Sequence, residues 1–278
     1  MSLALGLALE GLLIPYAKHQ ITPEDEAAVL AVLRSPFLTS GPKVEEFEAA
    51  LAEKAGAFHC VCTNSGSTAL LMAYMVAKEH GYHRAVVPAI TFVATANMAR
   101  LAGLEVGLID CDPSTGILAR FPETEQDTVI PVAVTLGGTT IYPRGTCIVD
   151  ACHGPICHSI PAWMTCLSFH PSKHVACGEG GAVLTNDLGT ASLLRQIRNA
   201  GRSAEGWMLG INGRMPEMAA ALGLSQLTRY DDGIRRRARI AAHYDATGLH
   251  GIPRQVWYLY QMLVSNRDTV AGRLRELG

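Results

Sequence analysis

The stretch Cys147-Ile148-Val149-Asp150-Ala151-Cys152-His153 has the composition of a short buried strand that ends on an acidic side chain. Similar apolar runs, bounded by Gly, Pro, Asn and Asp, alternate with helical stretches on both sides of it. These runs cover residues 60–62, 85–87, 106–109, 129–134, 166–169 and 182–184. The alternation predicts an α/β fold in which helices cover both faces of a mostly parallel sheet.

Helical signals precede the first strand. Thr22 can cap a helix that starts at Pro23, and Ser35-Pro36 interrupts its apolar pattern. A second amphipathic helix is predicted after Gly41-Pro42, with Gly56 as its stop. We expect both helices to cover the sheet.

The composition limits the classes of partner. The chain has 278 residues, of which 49% are hydrophobic and 17% charged, so it can bury a sizeable core. Lys and Arg total 23 against 25 Asp and Glu, and this balance gives no general attraction to nucleic acid or anionic lipid. We therefore expect neither nucleic acid nor a membrane as a partner, and any ligand must be bound by a local site.

The eight cysteines are predicted to be buried thiols, because several lie inside the apolar runs. Cys152, His153, Cys157 and His158 lie close together, but their spacing matches no standard zinc pattern. We predict no disulfide framework and no metal site.

Domain boundaries are predicted at two places. Residues 1–14 are apolar but contain Glu10, lack a basic start and a convincing cleavage site, and are too short to span a bilayer. We expect residues 1–20 to form an arm that packs on the body or on another subunit of a cytoplasmic protein. A large domain is predicted over residues 21–235. A partial small domain follows over residues 236–278, with a strand at 257–264 and a helix at 268–277.

The turn Thr63-Asn64-Ser65-Gly66-Ser67-Thr68-Ala69-Leu70 stands between a predicted strand and a predicted helix. Free amides at the helix start could hold a phosphate, Gly66 permits a close approach, and Ser67 or Thr68 can donate from a hydroxyl. The stretch lacks the Gly-Lys-Ser/Thr ending of a nucleotide P-loop. An ordinary capped helix is the alternative.

The stretch Ser168-Phe169-His170-Pro171-Ser172-Lys173 places a lysine between a predicted strand and the glycine turn Gly178-Glu179-Gly180-Gly181. A desolvated lysine amine becomes neutral more readily and can form a Schiff base with a carbonyl. The glycine turn would let the backbone pass close to a cofactor. A solvated lysine is the alternative, since lysine is rarely buried.

Asp150, at the end of its predicted strand, could be a buried anion that keeps a heteroaromatic nitrogen protonated, as a pyridoxal ring requires. His153 could touch the same ring, and Phe92 could stack on a flat cofactor. The alternatives are a helix-capping carboxylate, a structural histidine and a core aromatic.

Together these stretches resemble the DegT/DnrJ family of sugar-nucleotide aminotransferases, which are fold-type I enzymes that use pyridoxal 5′-phosphate (PLP). The similarity runs over about residues 14–244. Three further motifs carry it, namely Leu38-Thr39-Ser40-Gly41-Pro42, Thr91-Phe92-Val93-Ala94-Thr95-Ala96-Asn97 and Asn212-Gly213-Arg214-Met215. The opening Ile14-Pro15-Tyr16-Ala17-Lys18-His19-Gln20 is most similar to the branch that aminates a 4-keto-6-deoxy UDP-N-acetyl sugar for pseudaminic acid.

The resemblance implies that Lys173 forms the internal aldimine with PLP, that Asp150 pairs with the pyridine nitrogen, and that His153 lies near the ring hydroxyl. The implied reaction is ping-pong transamination through pyridoxamine phosphate. Glutamate would be the amino donor and a nucleotide-linked keto sugar, of the 4-keto-6-deoxy type, the acceptor. Lys173 would also shuttle the proton during the transfer.

The resemblance further implies that Gly66, Ser67 and Ser168 hold the cofactor phosphate and that Phe92 stacks on the ring. It also implies that Asn212 reaches the phosphate of the partner subunit's cofactor. This last role requires a homodimer with shared active sites.

Two features depart from the family pattern. The small carboxyl-terminal domain is expected to be shortened, and Pro131-Val132-Ala133-Val134-Thr135-Leu136-Gly137-Gly138 stands where the family usually has a histidine after Pro-Val. A non-catalytic or regulatory homologue is therefore the alternative, whereas Lys173 argues against the sugar dehydratases, which replace this lysine by histidine.

The run Arg235-Arg236-Arg237-Ala238-Arg239 could attract a nucleotide diphosphate, but we expect a solvated helix face.

Overall fold

The computed structural model describes residues 17–118, 121, 128–139, 141, 143, 145–158, 162–204 and 206–276. The predicted arm at residues 1–20 therefore lies almost entirely outside the described residues. The described helices are α1 (Pro23–Leu33), α2 (Pro42–Ala55), α3 (Gly66–Glu79), α4 (Val93–Leu101), α5 (Leu188–Arg198), α6 (Glu217–Leu227), α7 (Tyr230–Ala246) and α8 (Arg267–Glu276). The described strands are β1 (His59–Thr63), β2 (Arg84–Pro88), β3 (Glu105–Ile109), β4 (Val129–Val134), β5 (Ile148–Asp150), β6 (Met164–Ser168), β7 (Gly181–Thr185), β8 (Arg202–Ser203) and β9 (Gly206–Trp207).

Within the described residues, seven strands form one sheet in the order β1-β7-β6-β5-β4-β2-β3. The strands from β3 to β6 in this order run parallel to their neighbours, whereas β7 is antiparallel to both β6 and β1. The predicted mostly parallel α/β sheet is confirmed. The carboxyl ends of β4, β5 and β6 meet at one edge, where Val134 pairs with Asp150 and Asp150 with Cys166.

Both faces of the sheet are buried. In β7, Ala182 and Leu184 pack into the apolar cluster under α2 and α6, whereas Val183 points into the cluster under α3 and α5. This split follows from the two-residue period of strand side chains. The strands β1, β4, β5, β6 and β7 each contribute to both clusters, so their sequences are almost continuously apolar, as predicted for a covered sheet. The edge strand β3 does not, and its Leu108 is exposed.

The predicted helix signals are confirmed at both amino-terminal helices. Thr22 caps α1 in a capping box with Asp25, and Pro23 is the first helical residue. α2 ends at Gly56, whose φ of 67° is left-handed and therefore favours glycine.

The strand predicted at residues 257–264 is wrong, because the structure has no strand there. Residues 256–261, here called the C-terminal segment, instead attach to the turn after β4 by backbone hydrogen bonds. Val256 N donates to Gly138 O at 3.1 Å and Tyr258 N donates to Gly137 O at 3.2 Å. This stretch is therefore held by a loop and not by a strand ladder. The helix predicted at 268–277 is present as α8.

The arginine run lies on α7, which continues through the domain boundary predicted at residues 235 and 236. Arg235, Arg236 and Arg239 are exposed, in agreement with a solvated face. Arg237 is half-buried, and its Nη1 donates to the carbonyl oxygens of Trp257 and Tyr258 at 3.5 Å each. The division into domains stays a prediction.

The cysteines are all free thiols, and those at positions 60, 62, 147, 166 and 177 are buried. Burial raises the pKa of the Cys147 thiol to about 12. In the part of the chain that the structure describes, no group of three or more His, Cys, Asp and Glu side chains could hold a metal ion. None of the helices described is long and apolar enough to cross a membrane.

Candidate active site

A cavity of about 590 Å³ opens at the sheet edge where β4, β5 and β6 end and α3 begins. Ligand sites of parallel α/β sheets form at such carboxyl ends. Seven of the predicted site residues line it, namely Gly66, Ser67, Phe92, Asp150, His153, Ser168 and Lys173. Residues more than 100 positions apart in the chain are therefore brought to one cavity.

Asp150, the last residue of β5, is only 4% exposed and has two hydrogen-bond donors. The Thr95 hydroxyl donates to Oδ2 at 2.7 Å, and the Cys152 amide donates to Oδ1 at 3.1 Å. Thr91 in turn supplies a hydroxyl 2.7 Å from Thr95 Oγ1. An ionised carboxylate has about four acceptor positions, so Asp150 can still accept from a ligand in the cavity.

The amino end of α3 forms a second wall. Ser65 caps the helix by accepting from Thr68 N at 3.1 Å. The Gly66 and Ser67 amides lie in the first turn of the helix and therefore have no intrahelical partner. A Cβ at position 66 would lie 2.7 Å from Ser168 Cβ and 3.1 Å from its Oγ. Glycine therefore lets the helix start and the end of β6 approach closely enough to share one anion.

Lys173 follows β6 and is half-buried in the cavity wall. Its Nζ donates to Tyr258 Oη at 3.1 Å and lies 4.3 Å from the centre of the same ring. The amine therefore stays in the cavity and does not extend into solvent, so the alternative of a fully solvated lysine is excluded.

His153 also contacts Tyr258, with ring centres 4.2 Å apart and planes at 32°. The Gly137 amide donates to its Nδ1 at 3.4 Å, which assigns the ring proton to Nε2. Burial lowers the pKa of His153 to about 3, with the positive charge of Lys173 adding to the effect. His153 is therefore neutral near pH 7 and can donate from Nε2.

Phe92 and Asn212 differ from the other predicted residues. Phe92 is 65% exposed at the start of α4, so it is not a core aromatic, and it borders the cavity. Asn212 is exposed outside the cavity lining, where its carbonyl oxygen accepts from Asn64 Nδ2 at 3.2 Å. Its role towards a partner subunit stays a prediction.

Sequence analysis missed three functional side chains. One is Thr95, which lies in the motif at residues 91–97 and whose hydroxyl oxygen is 2.7 Å from that of Thr91. Ser172 and Tyr258 meet at the amine of Lys173, with their hydroxyl oxygens 3.0 Å apart. Nothing in the local sequence places Tyr258 here, because 85 residues separate it from Lys173.

The donor set of the cavity fits PLP. Lys173 offers an amine for an aldehyde, Asp150 a buried carboxylate for a protonated ring nitrogen, and the Gly66 amide an anion site with Ser168 beside it. The exposed face of Phe92 stands at the opening, where it can cover a flat ring. No residue of the predicted set opposes this cofactor.

Comparisons with known proteins identify the family of the chain. The model of the DegT/DnrJ/EryC1/StrS aminotransferase family matches residues 19–121 and 159–275. A transaminase from Campylobacter jejuni, named for UDP-4-amino-4,6-dideoxy-N-acetyl-beta-L-altrosamine, is 32% identical over 84% of this chain and 69% of its own length. An aminotransferase from Shewanella sediminis, named for UDP-4-amino-4-deoxy-L-arabinose and oxoglutarate, is 28% identical over 95% of this chain and 80% of its own.

A solved structure shows the same fold. Helicobacter pylori PseC, an aminotransferase involved in the biosynthesis of pseudoaminic acid, superimposes with a TM-score of 0.74 at 27% identity. The match covers 84% of this chain and 70% of PseC. The predicted fold-type I architecture is confirmed, and the chain belongs to the DegT/DnrJ/EryC1/StrS aminotransferase family.

Proposed function

We propose that this protein uses PLP to transfer an amino group from glutamate to a nucleotide-linked keto sugar. The observation that carries the proposal is the meeting of Lys173 and Asp150 in one cavity beside the amino end of α3. An amine, a buried carboxylate and an anion site are the three groups that this cofactor needs from a protein.

Each residue would hold one part of the cofactor. Lys173 would hold the aldehyde, Asp150 the ring nitrogen, His153 the ring hydroxyl, and Gly66 and Ser67 the phosphate. Ser168, beside Gly66, would add its hydroxyl to the phosphate site, and Phe92 would stack on the ring. When bound, PLP supplies an electron sink and carries the amino group between the two substrates.

The protein's own groups would do the acid–base work. The Asp150 carboxylate keeps the ring nitrogen charged, and its burial strengthens this interaction because little water screens it. Thr95 fixes the carboxylate orientation through its 2.7 Å hydrogen bond. Lys173 Nζ removes and returns the proton at the reacting carbon, which is general acid–base catalysis by one amine.

Two relatives support a sugar acceptor with a carbonyl at carbon 4. The Campylobacter and Shewanella proteins are both named for UDP-linked 4-amino sugars, and the first name also describes a 6-deoxy sugar. We accordingly propose a 4-keto-6-deoxy sugar linked to UDP as the acceptor. We further propose a homodimer in which Asn212, exposed outside its own cavity, serves the partner subunit's site.

Absorbance of the purified protein loaded with PLP tests the proposal. Glutamate should bleach the visible absorption band of the bound PLP, and a UDP-linked 4-keto-6-deoxy sugar should restore this band. A 3-keto sugar nucleotide is the matched control and should not restore the band. A band that glutamate bleaches but no keto sugar restores would contradict the sugar acceptor, and a protein that takes up no PLP would contradict transamination itself.

A further inference from the structure

A continuous chain of hydrogen bonds leads from the Lys173 amine to the protein surface. Lys173 Nζ lies 3.1 Å from Tyr258 Oη, Tyr258 Oη lies 3.0 Å from Ser172 Oγ, and Ser172 Oγ lies 3.0 Å from His170 Nδ1. Lys173, Tyr258 and Ser172 are half-buried, whereas His170 is exposed. All four residues line the cavity, and the chain joins the amine to the one of them that is exposed to solvent.

The donors in this chain all point the same way. The Ser172 amide donates to His170 Nδ1 at 3.3 Å, so this nitrogen is an acceptor and the ring proton is on Nε2. The Ser172 hydroxyl must then also donate to Nδ1, which leaves its oxygen to accept from the Tyr258 hydroxyl. Tyr258 Oη in turn accepts from Lys173, so each proton has an acceptor one step closer to the surface.

Tyr258 is held in this chain from three sides. Its amide donates to Gly137 O at 3.2 Å, and Arg237 Nη1 reaches its carbonyl oxygen at 3.5 Å. His153 stacks on its ring at 4.2 Å. Gly138, in the turn that departs from the family pattern, has no room for a Cβ because the Val256 carbonyl oxygen occupies that space. The turn and the C-terminal segment are therefore fitted to each other.

We propose that Tyr258, Ser172 and His170 form a proton relay for the Lys173 amine. The inference rests on the proposed function, which requires Lys173 to lose and regain a proton. In one passage the proton on Nζ moves to Tyr258 Oη, the Tyr258 proton moves to Ser172 Oγ, and the Ser172 proton moves to His170 Nδ1. His170 Nε2 then releases its proton to water, and the reverse sequence returns one to the amine.

The other titratable groups around the amine do not replace this route. Burial lowers the pKa of both His153 and His174 to about 3, so these rings are neutral near pH 7. Burial raises the pKa of the Cys152 thiol well above its usual range. Asp150 is engaged by Thr95, and Arg237 faces the backbone of Tyr258. Glu179 also lines the cavity, but no hydrogen bond joins it to Lys173 within the described residues.

Capture of PLP by the cofactor-free full chain tests the relay without relying on turnover. The product is fixed with borohydride at set times, and the label on Lys173 is counted by mass spectrometry across pH. The variants are Tyr258→Phe, Ser172→Ala, the double variant of these two, and His170→Ala. Tyr260→Phe is the matched control, because Tyr260 lies in the same segment but bonds to Asp245, Leu249 and Gly251.

We expect Tyr258→Phe and Ser172→Ala each to slow capture about tenfold near pH 7, since both break the same route. The double variant should be no slower than either single one, and Tyr260→Phe should match the unmodified chain. His170→Ala should slow capture as well. Added imidazole should restore capture by His170→Ala but not by Tyr258→Phe, because His170 is exposed to solvent and Tyr258 is half-buried.

Two results would overturn the relay. One is a double variant whose loss is the product of the single losses, and the other is a Tyr260→Phe variant as slow as Tyr258→Phe. Failure of the proposed function looks different, since the unmodified chain would then capture no PLP at Lys173. On the loaded enzyme, the relay variants should lower the maximal rate of bleaching by glutamate with little change in its half-saturating concentration.

Discussion

The cavity has two walls that are built differently. The strand wall, formed by Gly66, Asp150 and Ser168, consists of residues fixed by the sheet ladder and by a helix start. The opposite wall is the C-terminal segment, which has no ladder and is attached to Gly137 and Gly138 by a few backbone hydrogen bonds. The strand wall is thus part of the core, whereas the segment wall is a docked element.

Because the two walls are built differently, mutations in them should have different effects. A change in the strand wall alters the charge or the shape of the cofactor site while the segment stays docked. A change under the segment releases Tyr258 from Lys173 but leaves Asp150 and its donor Thr95 in place. Chemistry and docking should therefore be separable by mutation.

The largest expected effect is on the strand wall. Asp150→Asn keeps the shape and one of the two accepted hydrogen bonds but removes the negative charge, so bleaching of the cofactor band by glutamate should slow about 10²–10³-fold. Stopped-flow absorbance measures this rate. Because asparagine offers one acceptor oxygen to two donors, the free energy of unfolding should fall by about 1–3 kcal/mol. A rate within threefold of the unmodified protein would separate Asp150 from the chemistry.

The next effect concerns the segment wall. At Gly138, φ is 109°, and a Cβ would overlap the Val256 carbonyl oxygen, so Gly138→Ala should cost about 3 kcal/mol of unfolding free energy. Residues 256–261 should become the first site of cleavage in limited proteolysis. The control Gly233→Ala, in α7 with open space around its Cβ, should instead add about 0.5–1 kcal/mol. Unchanged cleavage in Gly138→Ala would show that the segment does not depend on this turn.

A smaller effect is expected at the helix start. Gly66→Ala would push against Ser168 Cβ, which lies 2.7 Å from the new methyl, and should cost about 2 kcal/mol. Because the change widens the anion site, the affinity for PLP should fall, as measured by equilibrium dialysis. Inorganic phosphate should compete less well with PLP in this variant. An unchanged affinity would place the phosphate elsewhere.

The smallest effect is a pH dependence of the unfolding free energy, caused by His153, whose ring packs on Tyr258 of the segment. Burial, reinforced by the positive charge of Lys173, lowers the pKa of His153 to about 3, so the unfolded chain takes up a proton below about pH 6.5 that the folded chain does not. Its contribution to stability is complete above pH 6.5 and is lost as the pH falls towards 3. When the pH is lowered from 7.5 to 5, the free energy of unfolding of the unmodified protein, measured in urea, should fall by about 2 kcal/mol more than that of His153→Gln. Equal losses would mean that His153 is not buried by the segment in solution.

The sequence predicted the strand wall because its signals are local. The apolar run that ends at Asp150, the hydroxyl-rich turn at Gly66 and the lysine after β6 each occupy one short stretch, and parallel topology brings their ends together. The segment wall was not predicted. The apolar and aromatic run at residues 257–264 indicates a strand, whereas in the structure the segment is held by backbone hydrogen bonds to the distant Gly137 and Gly138. Tyr258 is an example: it contacts Lys173, 85 residues away in the chain, and nothing in the neighbouring sequence indicates this contact.

The position of the covalent link to the cofactor tests the account most directly. The protein is loaded with PLP, reduced with borohydride and digested, and the labelled lysine is identified by mass spectrometry with Lys173→Ala as control. We predict a single equivalent of label on Lys173, none in the control, and no label when glutamate is added before the reduction. Label on exposed lysines such as Lys54 or Lys78, with Lys173 unmodified, would contradict the account.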